Sequence, residues 1–127
     1  MKTGRSLGKA VAKAIDPITE TYCWTEFAAE AVPLKSWFGF VVEIGRVNEE
    51  GAGIFEVVVT TPRAEGQVKR HHGKDFAYLT VERMTRKNVE QPIQARISEV
   101  QPGEWLEIVQ ALKPEFRWEC DGMKEHY

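Results

Sequence analysis

The sequence predicts an α+β protein: two N-terminal helices packed on a strongly curved antiparallel sheet or small β-barrel of five to six strands. Three observations lead there. Trp37–Thr61 holds two runs rich in aromatic and β-branched residues around a polar break with Asn48, Gly51 and Gly53, the pattern of an antiparallel hairpin. Before it, apolar residues recur at helical spacing, and after it they alternate in short runs between turn residues. No stretch alternates strand and helix in the manner of a parallel sheet.

The chain of 127 residues has room for one domain. It divides into a helical segment over 1–33, a sheet or barrel over 34–112 and an acidic C-terminal tail over 113–127. From Ser6 to Ile15, Leu7, Ala10, Val11, Ala14 and Ile15 share a helical face, with Lys9 and Lys13 opposite. Asp16-Pro17 ends that helix and starts a second, because Asp16 can cap and Pro17 can fill the first helical position. The second helix runs to Ala31. It is apolar on two sides, with Trp24, Phe27, Ala28 and Ala31 on one.

In the hairpin, Phe38, Phe40, Val42 and Ile44 pair their alternation with Phe55, Val57 and Val59. Both faces are apolar over much of their length, so cover is expected on both. Gln67–His72 reads as a short polar strand and His72–Asp75 as a tight turn through Gly73. Phe76–Met84 reads as the next strand and Thr85–Gln91 as a polar loop. Pro92 opens a strand in which Ile93, Ala95 and Ile97 alternate with Gln94, Arg96 and Ser98. Gln101-Pro-Gly-Glu104 suits a type II turn. Trp105–Leu112 is the last long strand, and Phe116, Trp118 and Cys120 allow a short edge strand.

Composition sets the bounds on function. Hydrophobic residues at 43% and charged residues at 28% match a globular chain. No apolar run reaches the roughly 20 residues of a membrane span, and the N-terminus lacks the apolar core of a secretory signal, so the expected compartment is the cytoplasm and no membrane partner is expected. Cys23 and Cys120 are too far apart for a ligand-pair motif. His71 and His72, adjacent on a strand, would point to opposite faces, and no zinc spacing joins them to His126, so no metal and no cofactor is expected. None of Ser6, Ser36 and Ser98 sits in a nucleophile elbow, and Gly51-Ala-Gly53 opens no helix that could receive phosphate. No catalytic residue is assigned, and enzyme is the least favoured class.

Charge is distributed unevenly. Residues 63–87 carry seven basic side chains against three acidic, and residues 88–127 eight acidic against four basic, so +4 is followed by −4. Two functions follow from this. In the first, a small accessory protein binds single-stranded DNA or RNA: Arg63, Lys69, Arg70, Lys74, Arg83, Arg86 and Lys87 track the backbone while Phe76 and Tyr78 stack bases. In the alternative, the chain is a non-catalytic protein-interaction or assembly module, homo-oligomeric or joined to another protein. Trp24, Phe27, Trp105 and Trp118 are its candidate contacts, since large aromatics dominate interface hot spots. The sequence bounds the function without naming it.

Overall fold

The computed structural model describes residues 8–18 and 35–120. Its centre is the hairpin. Strand β2 (Trp37–Arg46) and β3 (Gly53–Thr60) pair antiparallel from Trp37 opposite Thr60 to Ile44 opposite Gly53. The loop between them uses positive φ at Asn48 (68°) and Gly51 (88°), the residue types that tolerate it best.

The segment before the hairpin departs from expectation. Ala10–Pro17 is a strand, β1, antiparallel to β2 from Ala10 opposite Arg46 to Pro17 opposite Phe40. Its register shifts between Ala12 and Ala14, where Lys13 bulges out of the ladder. Ala10 and Ala12 pack toward the core before the bulge and Ile15 after it. The extra residue flips the parity of a period-two pattern, and the resulting spacing imitates a helix. The expected second helix lies mostly in 19–34, outside the described residues, as do Trp24 and Phe27.

The sheet is open, not a barrel. Its order is β1-β2-β3-β4, and β5 also pairs with β3. Leu79–Thr80 (β4) runs parallel to the end of β3, Val59 opposite Leu79, while Arg117–Trp118 (β5) runs antiparallel to its start, Phe55 opposite Trp118. Two very short strands thus share one edge of β3, and β1 forms the other edge among the described residues. All other pairings are antiparallel.

The described helices follow the hairpin. A 3₁₀ turn at Pro62–Ala64 leads into α1 (Glu65–His72), where a polar strand was expected. Helix α2 (Arg86–Ser98) replaces the expected loop and strand, and α3 (Trp105–Leu112) replaces the last strand. The reason lies in spacing. Val89, Ile93 and Ile97 are the buried residues of α2, and a period of four also looks like a subset of a period of two. Pro92 sits inside α2. Thr85 caps it, its hydroxyl oxygen accepting from Asn88 N at 3.2 Å. At α3, Glu104 and Glu107 form a reciprocal capping box, with Glu104 N donating to Glu107 Oε1 at 2.9 Å. Ile108, Val109 and Leu112 face inward.

The core lies between the sheet and the two later helices. Phe40, Val42, Ile44, Phe55, Val57 and Val59 supply one inner face and are fully buried. They meet Val89, Ile93 and Ile97 of α2, Ile108, Val109 and Leu112 of α3, and Phe116. Opposite parity places Trp37, Glu56 and Val58 on the second face. Helix α1 lies there, because Trp37 contacts the rings of His71 and His72 at 5.3 and 5.4 Å. The layers are therefore α2 and α3, then sheet, then α1. Among the described residues, cover comes from helices that follow the hairpin.

Candidate partner-binding site

Three surface features grow out of these layers. The first is on the second sheet face. His72 stacks on Phe76 with ring centroids 4.0 Å apart and planes 13° from parallel, while Arg117 places Cζ 4.3 Å from the same centroid. Two planar groups that close to one ring cannot share a face, so both faces of Phe76 are occupied. Arg117 is carried there by β5, whose pairing sets it beside Glu56. Burial lowers the Arg117 pKa, and the Glu56 carboxylate opposes the shift. The His72 imidazole is also held below its ordinary value, first by desolvation and then by His71 and Arg117, with Glu56 acting the other way. His72 is exposed as a residue; the desolvation is local, where its ring lies on Phe76.

This arrangement bears on the expected nucleic-acid residues. Lys69 and Arg70 stand exposed in the last turn of α1, together with His71 and His72. Cations there complement the helix dipole, worth about 0.3–1 kcal/mol each. Arg63 lies in the 3₁₀ turn and Lys74 in the turn after Gly73, both exposed. Phe76 and Tyr78 are half-buried and belong to no strand. Arg83 is exposed before α2; Arg86 and Lys87 open that helix, and Arg86 pairs with Glu90 at 3.0 Å. The basic residues thus divide between elements on opposite sheet faces. Phe76 has no free face for a base, which removes one half of the stacking platform.

The second feature is an aromatic end wall. Trp105 meets Phe55 edge-on at 6.3 Å, and Trp118 stacks over it at 6.4 Å and 22°. Both tryptophans are half-buried against the core. They flank Gly53, where an added Cβ would lie 2.7 Å from Trp105 Cζ2 and 3.2 Å from Trp118 Nε1. Their first role is packing, with part of each left to solvent.

The third feature is a groove of about 890 Å³ between the C-terminal end of α2, the following turn and α3. Ala77, Val100 and Pro102 form apolar lining; Glu99, Glu107 and the Arg96–Glu115 pair, 2.8 Å apart, bring charge to it. Nothing in a strand reading of 92–112 brings these residues together. The spacing of Glu107 and Ala111 was the available signal, since positions four apart share a helix face. Among the described residues, no three His, Cys, Asp or Glu side chains converge as a metal site. Cys120 is a free, exposed thiol. No helix among the described residues is long and apolar enough to cross a membrane.

The described layers define an α+β protein whose distinctive features are surface ones: a grooved helical layer, an aromatic edge and a basic helix. The chain belongs to the Immunity protein 8 family, whose sequence model matches residues 20–122. That membership implies a protein partner. No curated protein and no solved structure matches the chain. Neither the geometry at Phe76 nor the family match supports a nucleic-acid partner.

Proposed function

We propose that this protein is a toxin-neutralising immunity protein, which binds a cognate toxin as a specific protein–protein complex and thereby protects the cell that makes it. The observation that carries this is the family match, which runs over 20–122 and so includes the hairpin, the three described helices and the groove. The reading also suits the surface. A protein interface needs a well-packed scaffold presenting charged and apolar groups together, and the helical layer supplies one. Trp105 and Trp118 remain candidates for the interface margin through the parts left to solvent.

Growth protection tests this directly. A toxic protein captured with the chain from the cells that make it is expressed alone and with the chain in a sensitive host. Survival only on co-expression, with a stable complex of defined stoichiometry in light scattering, is the expected result. Equal killing with and without the chain would overturn the reading.

A further inference from the structure

We infer that the groove between α2 and α3 is the docking site for a basic segment of the toxin, a reading that rests on the immunity function proposed above. The inference starts from how α3 is rotated. With Ile108, Val109 and Leu112 buried, the helical period turns Glu107 and Ala111 outward, one turn apart along the groove. Capping fixes that rotation, because Glu107 Oε1 accepts from Glu104 N. Glu107 Oε1 lies 2.7 Å from where a Cβ at Gly103 would stand, so a side chain there would push the Glu107 carboxylate out of its capping position.

Charge then selects the occupant. Among the described residues, Arg96 is the one cation lining the groove, and it is already paired with Glu115. Glu107 uses one carboxylate oxygen in its capping box. The Glu99 carboxylate takes part in no hydrogen bond or ion pair among the described residues. The rim is therefore left negative by Glu99 and Glu107, above small apolar groups on Ala77, Val100, Pro102 and Ala111. A lysine or arginine matches both parts: its methylene stem lies on the apolar lining and its cationic head reaches the carboxylates. At about 890 Å³ the groove exceeds a single side chain and falls in the upper range of ligand clefts, so it accommodates several residues of a segment. By contrast, on the other face Phe76 is covered by His72 and Arg117, and the Glu56 charge acts on Arg117. The groove holds the unmatched charge.

The test compares the parent chain with the double variant Glu99→Lys/Ala111→Arg, both at exposed positions, and with Arg63→Glu, exposed in the 3₁₀ turn before α1 and outside the groove, as a control. Unchanged thermal unfolding confirms that each is folded. Affinity for the captured toxin is measured across a salt series, and growth protection is scored in parallel. The expected result is a loss of at least roughly tenfold in affinity for the double variant, weaker parent binding at high salt, and no change for Arg63→Glu. Full protection and parent-like affinity in the double variant would overturn the groove while leaving the immunity function standing. If the parent chain binds no toxin, the immunity reading itself falls. The groove is then read with a short amphipathic lysine–leucine peptide by methyl NMR. Shifts at Ala77 and Val100 that vanish in the double variant support it, and their absence overturns it.

Discussion

Replacing Gly53 with alanine adds one methyl group at the point where the hairpin, α3 and β5 meet. Two rules give opposite signs for its effect. Glycine inside a strand is unfavourable by roughly 0.5–1 kcal/mol relative to alanine, so propensity alone predicts a gain in stability. Packing predicts a loss. The new Cβ would stand 2.7 Å from Trp105 Cζ2, 3.1 Å from Phe55 Cε1 and 3.2 Å from Trp118 Nε1, against about 3.5–4.0 Å for a relaxed carbon contact. Trp105 must retreat by about 1 Å, and it is held edge-on to Phe55, which is fully buried. Overpacking of this kind costs about 1–3 kcal/mol. Subtracting the propensity gain leaves a net destabilisation of about 0–2.5 kcal/mol, centred near 1 kcal/mol. Gly66→Ala is the matched comparison: it lies in α1 with Arg70 Nη1 at 3.5 Å as its nearest neighbour. That substitution gains roughly 0.5–1 kcal/mol, the ordinary helical advantage of alanine. Urea unfolding followed by tryptophan fluorescence measures both. A Gly53→Ala protein more stable than its parent would refute the packing at this corner.

Two further outcomes follow from single contacts. Thr85→Ala removes the side-chain cap on Asn88 N and should cost about 1 kcal/mol in urea unfolding, with Thr85→Ser recovering most of it; no loss would mean that α2 does not depend on its cap. Because His72 is held below its ordinary pKa, the fold favours the neutral ring. Its contribution is complete above the unfolded value near 6.5 and is lost as pH falls through the lower folded value. The imidazole NMR titration of His72 should therefore have its midpoint below about 6.5, and a midpoint above that would contradict the stacked, cation-flanked site.

What the sequence made legible, and what it concealed, follows from how each element announces itself. The hairpin was legible because alternation, β-branched side chains and a loop tolerant of positive φ agree at one place. β1 was concealed by Lys13: one bulged residue put Ala10 and Ile15 on the same side and broke the alternation that marks a strand. α2 was concealed twice, by a proline in its interior and by apolar residues at intervals of four that alternation also explains. α3 carries Ile108-Val109, residues common in strands, and its capping box begins with glutamate rather than serine or threonine. Once those two helices were read as strands, Glu99, Glu107 and Ala111 had no common surface, and the groove could not be seen.

Charge shows how a correct count can still mislead until the fold is known. The basic run over 63–87 and the acidic run over 88–127 suggested one cationic hairpin and a tail beside it. Strand parity sorts them differently. Trp37 contacts His71 and His72, which fixes the basic end of α1 on the second sheet face, while Glu99 and Glu107 belong to the helical layer on the first. The sheet thus separates the basic end of α1 from the acidic groove rim at the C-terminal end of α2, while Arg86 and Lys87 lie at the other end of that helix. At about 10 Å of screening in ordinary salt, charges on the two sides act largely independently. A partner carrying a cationic patch is then drawn to the groove rim and turned away from the basic end of α1, so that one orientation is favoured before any contact forms. Reversing Glu99 should consequently slow association, whereas filling the groove at Ala111 should speed dissociation. This separates steering from fit in the same assay.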